Sequence, residues 1–292
     1  MRVTESMIYD NAKTTLANNL AAIQTIQNQV SSGKQLNQPS DNPADVQTAV
    51  GLGDTLAQIN QYIRNINTAS SKASAMDTAL SSAGNILQRA NELAIEGANA
   101  TLDASDRQAI LAEVQQLSES LATTANTKVG DEYVFSGFRV DTPAFQVTGP
   151  GQVGPYQGDD GVSVARIGPG STMQIGMSGD TVFGPAMKAL ADLQADLSGG
   201  QGVQQSTLSE ISTGLDTVVQ SQATVGAREN RLSEANTSQE AMSTSNQALL
   251  SQLEDTNMPA AITELTSRQL TYQATLAVTA KVMQTSLIDY LK

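Results

Sequence analysis

Apolar residues recur in a 3-then-4 rhythm through most of this chain, and the rhythm is clearest at its two ends. Near the start Tyr9, Leu16, Ile23 and Val30 stand seven residues apart, with Ala12, Leu20 and Ile26 among them. Near the end Ile262, Leu265, Tyr272, Leu276, Met283, Leu287 and Tyr290 keep the same step. Heptad spacing of this kind predicts amphipathic helices that pair through a seam. The termini of most domains are polar and frayed, so two sticky terminal helices call for a covering surface. The expected covers are each other and neighbouring copies of the chain, which makes these residues the candidate assembly interface. Leu276 is expected mid-seam and Thr275 one position off it.

Between the ends the pattern predicts longer helices. The stretch Ser31 to Asn42 is dense in turn formers, and Asn42 followed by Pro43 reads as an N-cap with proline at the first helical position. From there Leu52, Ile59, Ile66, Ala73, Leu80, Leu87 and Ala94 hold a strict seven-residue step, with Tyr62, Ala69, Met76, Ala83 and Ala90 on the second seam position. Asp103, three residues before Asp106, caps a third helix carrying Ile110, Val114, Leu117, Leu121 and Ala125. Helical pattern resumes at Ala186, pauses at Gly199-Gly200, and then runs long through Leu208, Ile211, Leu215, Val218, Val225, Leu232, Leu250 and Leu253. Gln222, Glu229, Asn236, Gln239, Ser243 and Asn246 interrupt that seam, which loosens it and fixes its register.

From Gly130 to Gly184 the character changes, because more than half of the chain's 22 glycines fall there together with most of its aromatics. Residues 133–135, 145–147, 162–167 and 173–175 read as short strands between turns. The fold class expected is therefore mainly α: a nested long-helix coiled-coil bundle with a small β-rich insertion. Residues 1–40 with 256–292 form the terminal coiled-coil domain, 41–138 with 186–255 the bundle, and 139–185 the insertion, placed at the far tip.

Composition narrows the chemistry. The chain has no Cys and no His, which removes disulfides, thiol nucleophiles, the usual zinc sites and every mechanism with a histidine base. Its net charge is −13 and its cations are scattered singly, so no cationic track exists for nucleic acid. No apolar run approaches the length of a membrane span, and the first residues lack the apolar core of a cleavable signal. Gly33-Lys34 departs from a phosphate-binding loop, with Asn28 where a glycine is required and Gln35 where Ser or Thr is required. Asp159-Asp160-Gly161 lacks the spaced carboxylates of a calcium loop and reads as a hydrated turn. Glu92, Glu96, Asp103 and Asp106 are charges around a helix end. No enzyme activity, cofactor or metal is expected.

Two blocks of sequence resemble a known family. Gln29 to Lys34 followed by Pro39-Ser40-Asp41-Asn42-Pro43-Ala44, and Ile86 to Ala94, are similar to the N-terminal region of bacterial flagellins. Leu253 to Met258, Ala260 to Leu265 and Ser286 to Leu291 resemble the flagellin C-terminal region. In the middle, Glu132 to Gly137, Thr142 to Phe145, Tyr156 to Asp159 and Ser178 to Phe183 resemble the hook-associated branch of the family more than its filament-forming members. The resemblance implies a structural subunit of the flagellum at the hook–filament junction, forming a homo-oligomeric ring. It implies type III export as an unfolded chain and a cytoplasmic chaperone on the C-terminal helix. Its neighbours would be another hook-associated protein on the hook side and flagellin on the filament side.

Overall fold

The computed structural model describes residues 5–99, 102–200 and 202–290, with side chains at 7 and across 9–281 within those ranges. Six helices dominate: α1 (Glu5–Ser32), α2 (Pro43–Gly97), α3 (Ala104–Ala125), α4 (Gly179–Gly199), α5 (Gln205–Glu254) and α6 (Met258–Tyr290). Six short strands lie between α3 and α4: β1 (Lys128–Val129), β2 (Glu132–Tyr133), β3 (Val147–Gly149), β4 (Gln152–Val153), β5 (Val164–Gly168) and β6 (Ser171–Gln174). They pair in sequence order as three separate antiparallel hairpins. The mainly α architecture with a small β insertion is the one the pattern predicts. Contacts divide the chain into two compact units, residues 1–58 with 243–292 and residues 59–242; α2 and α5 contribute to both.

In the unit of residues 59–242 the heptad positions of α2 are buried as expected, from Ile66 through Ala73, Leu80 and Leu87 to Ala94. They share one core with Val114 and Leu121 of α3, Val182, Phe183, Leu190 and Leu193 of α4, and Ile211, Val218, Val225 and Leu232 of α5. Small residues let these helices approach closely. A Cβ on Gly214 would stand 3.0 Å from Cα of Ala186. At the C-terminal end of α2, a Cβ on Gly97 would stand 2.9 Å from both Leu197 and Val203. The predicted cap is present, with Asp103 Oδ1 accepting the N–H of Asp106 at 2.8 Å. Gly200 ends α4 in the left-handed conformation at φ 75°.

Three expectations change. First, α4 starts at Gly179, not near Ala186. Gly184-Pro185 reads locally as a turn, yet burial of Val182, Phe183 and Ala186 holds the helix through the proline despite the backbone donor it lacks. Second, Val134 and Phe135 are buried in a turn instead of a strand, with Phe135 edge-on to Phe183 at 4.9 Å between centroids.

Third, the hairpins do not sit at the tip of the bundle. Lys72 of α2 pairs with Glu132 at 2.5 Å, and Asn65 donates to the carbonyl of Arg166 at 3.0 Å. From α5, Gln239 donates to the carbonyl of Ile167 and Arg228 to that of Gly176, each at 3.2 Å. The insertion therefore lies along the side of the helices. The cause is helix length: α3 has 22 residues against 55 in α2, so a chain turning back along α2 leaves the bundle part-way.

Candidate assembly interface

The candidate interface belongs to the unit of residues 1–58 with 243–292, where α1 packs against α6. Along α1 the covered positions include Ala12, Leu16, Ile23, Ile26 and Val30, with Ile23 only 6% exposed. Along α6 they are Ala261, Leu265, Tyr272, Thr275 and Thr279. Six of the predicted residues, Leu16, Ile23, Ile26, Val30, Leu265 and Tyr272, thus lie on covered faces. Tyr9, Leu20, Ile262 and Leu276 do not; they are exposed, Leu276 at 43%. The side chains of Met283, Leu287 and Tyr290 lie outside the described residues.

This corrects the register of the seam on α6: it runs through Thr275, and Leu276 stands beside it. Spacing alone does not distinguish the two, because α6 is apolar on several sides, with Leu270 and Val278 exposed as well. At 3.6 residues per turn, Tyr9 and Leu20 on α1, and Ile262 and Leu276 on α6, fall roughly 55–100° round each helix from the middle of its covered stripe. The paired helices consequently carry a second, uncovered apolar edge. Large apolar side chains left in water at about 25 cal/mol per Å² favour any contact that covers them.

Next to this pair is a feature that the sequence did not reveal. Gly33, at φ 74°, turns the chain after α1 so that Lys34 forms an antiparallel bridge with Asp255 in the α5–α6 link. Gln35 N–H donates to the carbonyl of Glu254 at 2.6 Å, and Thr256 N–H donates to that of Gly33 at 2.9 Å. Lys34 Nζ meets Glu254 Oε2 at 2.6 Å, and Gln35 Nε2 reaches the carbonyl of Leu253 at 2.8 Å. The hydrogen bond and charge of Glu254 raise the Lys34 pKa above its ordinary value. Asp41 accepts the N–H groups of Asn37 and Gln38, at 2.9 and 2.8 Å, and so fixes the loop behind the bridge. Gly33-Lys34 therefore closes a clasp between two links instead of cradling a phosphate.

Several of the other charged candidates are also spent on structure. Asp159 accepts the N–H groups of Phe138 and Gly161, each at 2.8 Å, and these bonds hold its carboxyl below the usual range. Asp160 accepts the Ser178 hydroxyl at 2.9 Å. The Asp159 turn is thus tied into the insertion by its backbone. Arg89 pairs with Glu92 and Glu113 at 2.9 and 2.7 Å. Among the described residues no cluster of three acidic, His or Cys side chains could hold a metal, and no helix is long and apolar enough to cross a membrane.

Comparison with known proteins adds to this geometry. Residues 3–139 match the model of the bacterial flagellin N-terminal helical region, and residues 208–291 match that of the C-terminal helical region. Flagellar hook-associated protein 3 of Escherichia coli K12 is 30% identical over 184 residues, which span 63% of this chain and 57% of that protein. A flagellin of Listeria innocua is 24% identical over 287 residues, 98% of this chain and 96% of its own length. The crystal structure of flagellar hook-associated protein 3 from Legionella pneumophila superposes with a TM-score of 0.62 at 17% identity, covering 69% of this chain and 98% of that one. At that identity the likeness shows a shared fold.

Proposed function

Since the chain belongs to the flagellin family, we propose that it is a structural subunit of the bacterial flagellum, seated where the hook meets the filament. The observation that supports this reading most is the uncovered apolar edge of the α1–α6 pair, formed by Tyr9, Leu20, Ile262 and Leu276. A closed ring of identical copies gives that edge a partner at every position. Residues 1–40 with 256–292 then line the inside of the ring and residues 41–138 with 186–255 form the surrounding bundle. The insertion of residues 139–185, whose last seven residues already belong to α4, faces outward. Another hook-associated protein adjoins the ring on the hook side and flagellin on the filament side. Before assembly the chain leaves the cytoplasm unfolded through the flagellar type III channel, with an export chaperone on α6. No catalytic step is assigned to any residue.

Replacing Leu276 by Asp tests the reading. A carboxylate buried without a partner at each subunit contact costs several kcal/mol, whereas the same group on the exposed face of a monomer costs little. Thr275 does not serve as a control, because it lies in the α1–α6 seam; exposed Ser267, on another side of α6, does. The expected result for Leu276→Asp is an unchanged monomer melt, hooks without filaments and flagellin leaking into the medium. Ser267→Asp should assemble. Normal swimming of the Leu276→Asp strain would sink the proposal.

A filament-forming flagellin is the second reading, favoured by the match to Listeria flagellin along nearly the whole chain. Purified protein added to filament seeds separates the two, since a filament flagellin elongates them without limit and a junction subunit does not.

A further inference from the structure

We infer that the clasp between residues 33–37 and 253–256 is a register lock: it fixes where α1 meets α6 and so presets the uncovered edge used in assembly. The assembly half of this inference rests on the function proposed above; the register half stands on geometry alone. Two helices with heptad stripes can slide by a turn or a heptad and still bury apolar side chains, so the seam itself specifies register weakly. The α1–α6 seam is a weak specifier for a second reason, since it includes Ala12, Ala261, Thr275 and Thr279 among its covered positions.

The clasp supplies what the seam lacks. An ion pair joins residues 220 positions apart with two main-chain hydrogen bonds beside it, at the last residue of α5 and within three residues of the ends of α1 and α6. A shift of one residue in either strand would separate Lys34 from Glu254 and break both main-chain bonds. Gly33 permits this geometry, because its φ of 74° is one that other residues rarely adopt. A Cβ there would meet nothing within 4 Å, so the glycine answers to the turn and not to crowding. On the α6 side, Asn257 Oδ1 accepts the N–H of Ala260 at 3.3 Å and starts the helix directly after the bridge. Lys34 and Glu254 are thus positioning residues.

Charge reversal in the full-length monomer tests this by hydrogen exchange at amides of residues 26–32 and 258–265, the turns beside the clasp. Glu254→Lys sets two cations together and should speed exchange there about fivefold at low salt, the scale of a partly exposed ion pair. Adding Lys34→Glu should restore protection to within about twofold, and high salt should shrink both effects. Gly33→Ala should open the same turns through the backbone, with little dependence on salt. Unchanged exchange in Glu254→Lys, or no rescue in the double reversal, overturns the lock. If exchange follows this pattern while Glu254→Lys still builds normal junctions, the lock stands and the assembly reading falls.

Discussion

Residues 59–242 and the paired ends of the chain carry the same heptad rhythm and put it to different uses. In the first, α2, α3, α4 and α5 share one core, and side chains such as Leu80, Leu87, Phe135 and Phe183 are wholly removed from water. In the second, among the described residues, only Ile23 and Ala49 are apolar and buried, while Met7, Tyr9, Leu20, Ile262, Leu270, Leu276 and Val278 stay exposed. A heptad stripe therefore announces a helix that wants a partner; how many partners the chain itself provides is a separate matter. A stripe with three helical partners becomes core. One with a single partner keeps a free edge, the edge proposed above as the assembly contact.

The sharpest way to break this comparison is to truncate one side chain in each region. Phe183→Ala removes a ring fully enclosed between helices and packed edge-on to Phe135, and should cost about 3–5 kcal/mol of global stability. Ile23→Ala, in the two-helix seam, should cost about 2 kcal/mol, the low end for such a truncation, expressed in α1 and α6 alone. Denaturation followed by probes in each region decides between them. Equal loss of the global melting temperature in both variants would mean that the terminal pair is as much core as the rest.

A smaller effect tests how the insertion is held. Gly137 sits at φ 68° against the backbone of Asp159, so a methyl group there adds a clash to an unfavourable conformation. Gly137→Ala should lose about 1–2 kcal/mol from the backbone term alone and loosen the hairpins before the helices. Hydrogen exchange that leaves the hairpins as protected as before would contradict the packing described for this turn.

The smallest effect expected is one of pH. The Asp159 carboxyl is held low chiefly by the N–H groups of Phe138 and Gly161. Its contribution is therefore present above the unfolded carboxyl pKa, near pH 4, and is lost as pH falls through the lower folded value. Asp159→Asn should flatten the acid limb of stability in the insertion and leave α1 and α6 unaffected. An acid limb identical to that of the wild type would show that this carboxylate adds nothing.

Much of the fold was legible because its punctuation is local. Asn42-Pro43 and Asp103 mark the starts of α2 and α3, and Gly199-Gly200 marks the end of α4, through capping chemistry that needs no tertiary partner. The start of α4 was not legible, since burial of Phe183 overrides a Gly-Pro pair that locally favours a turn. The seam register on α6 was half legible: its heptad step is plain, but choosing Thr275 over Leu276 requires knowing where α1 lies. The clasp left no trace, because nothing local links Lys34 to Glu254.

That separation of 220 positions also orders events in time. Helix α1 is made well before its partner α6, so it must wait, uncovered, until α6 exists. Loop closure over such a distance costs little more than over half of it, about 0.6 kcal/mol per doubling, so length alone is no great obstacle. Prior folding of residues 59–242 would shorten the free loop to two brief arms. The terminal pair is then the natural last step of folding, and a chain interrupted anywhere before residue 253 would be left with an unpaired α1 and no clasp.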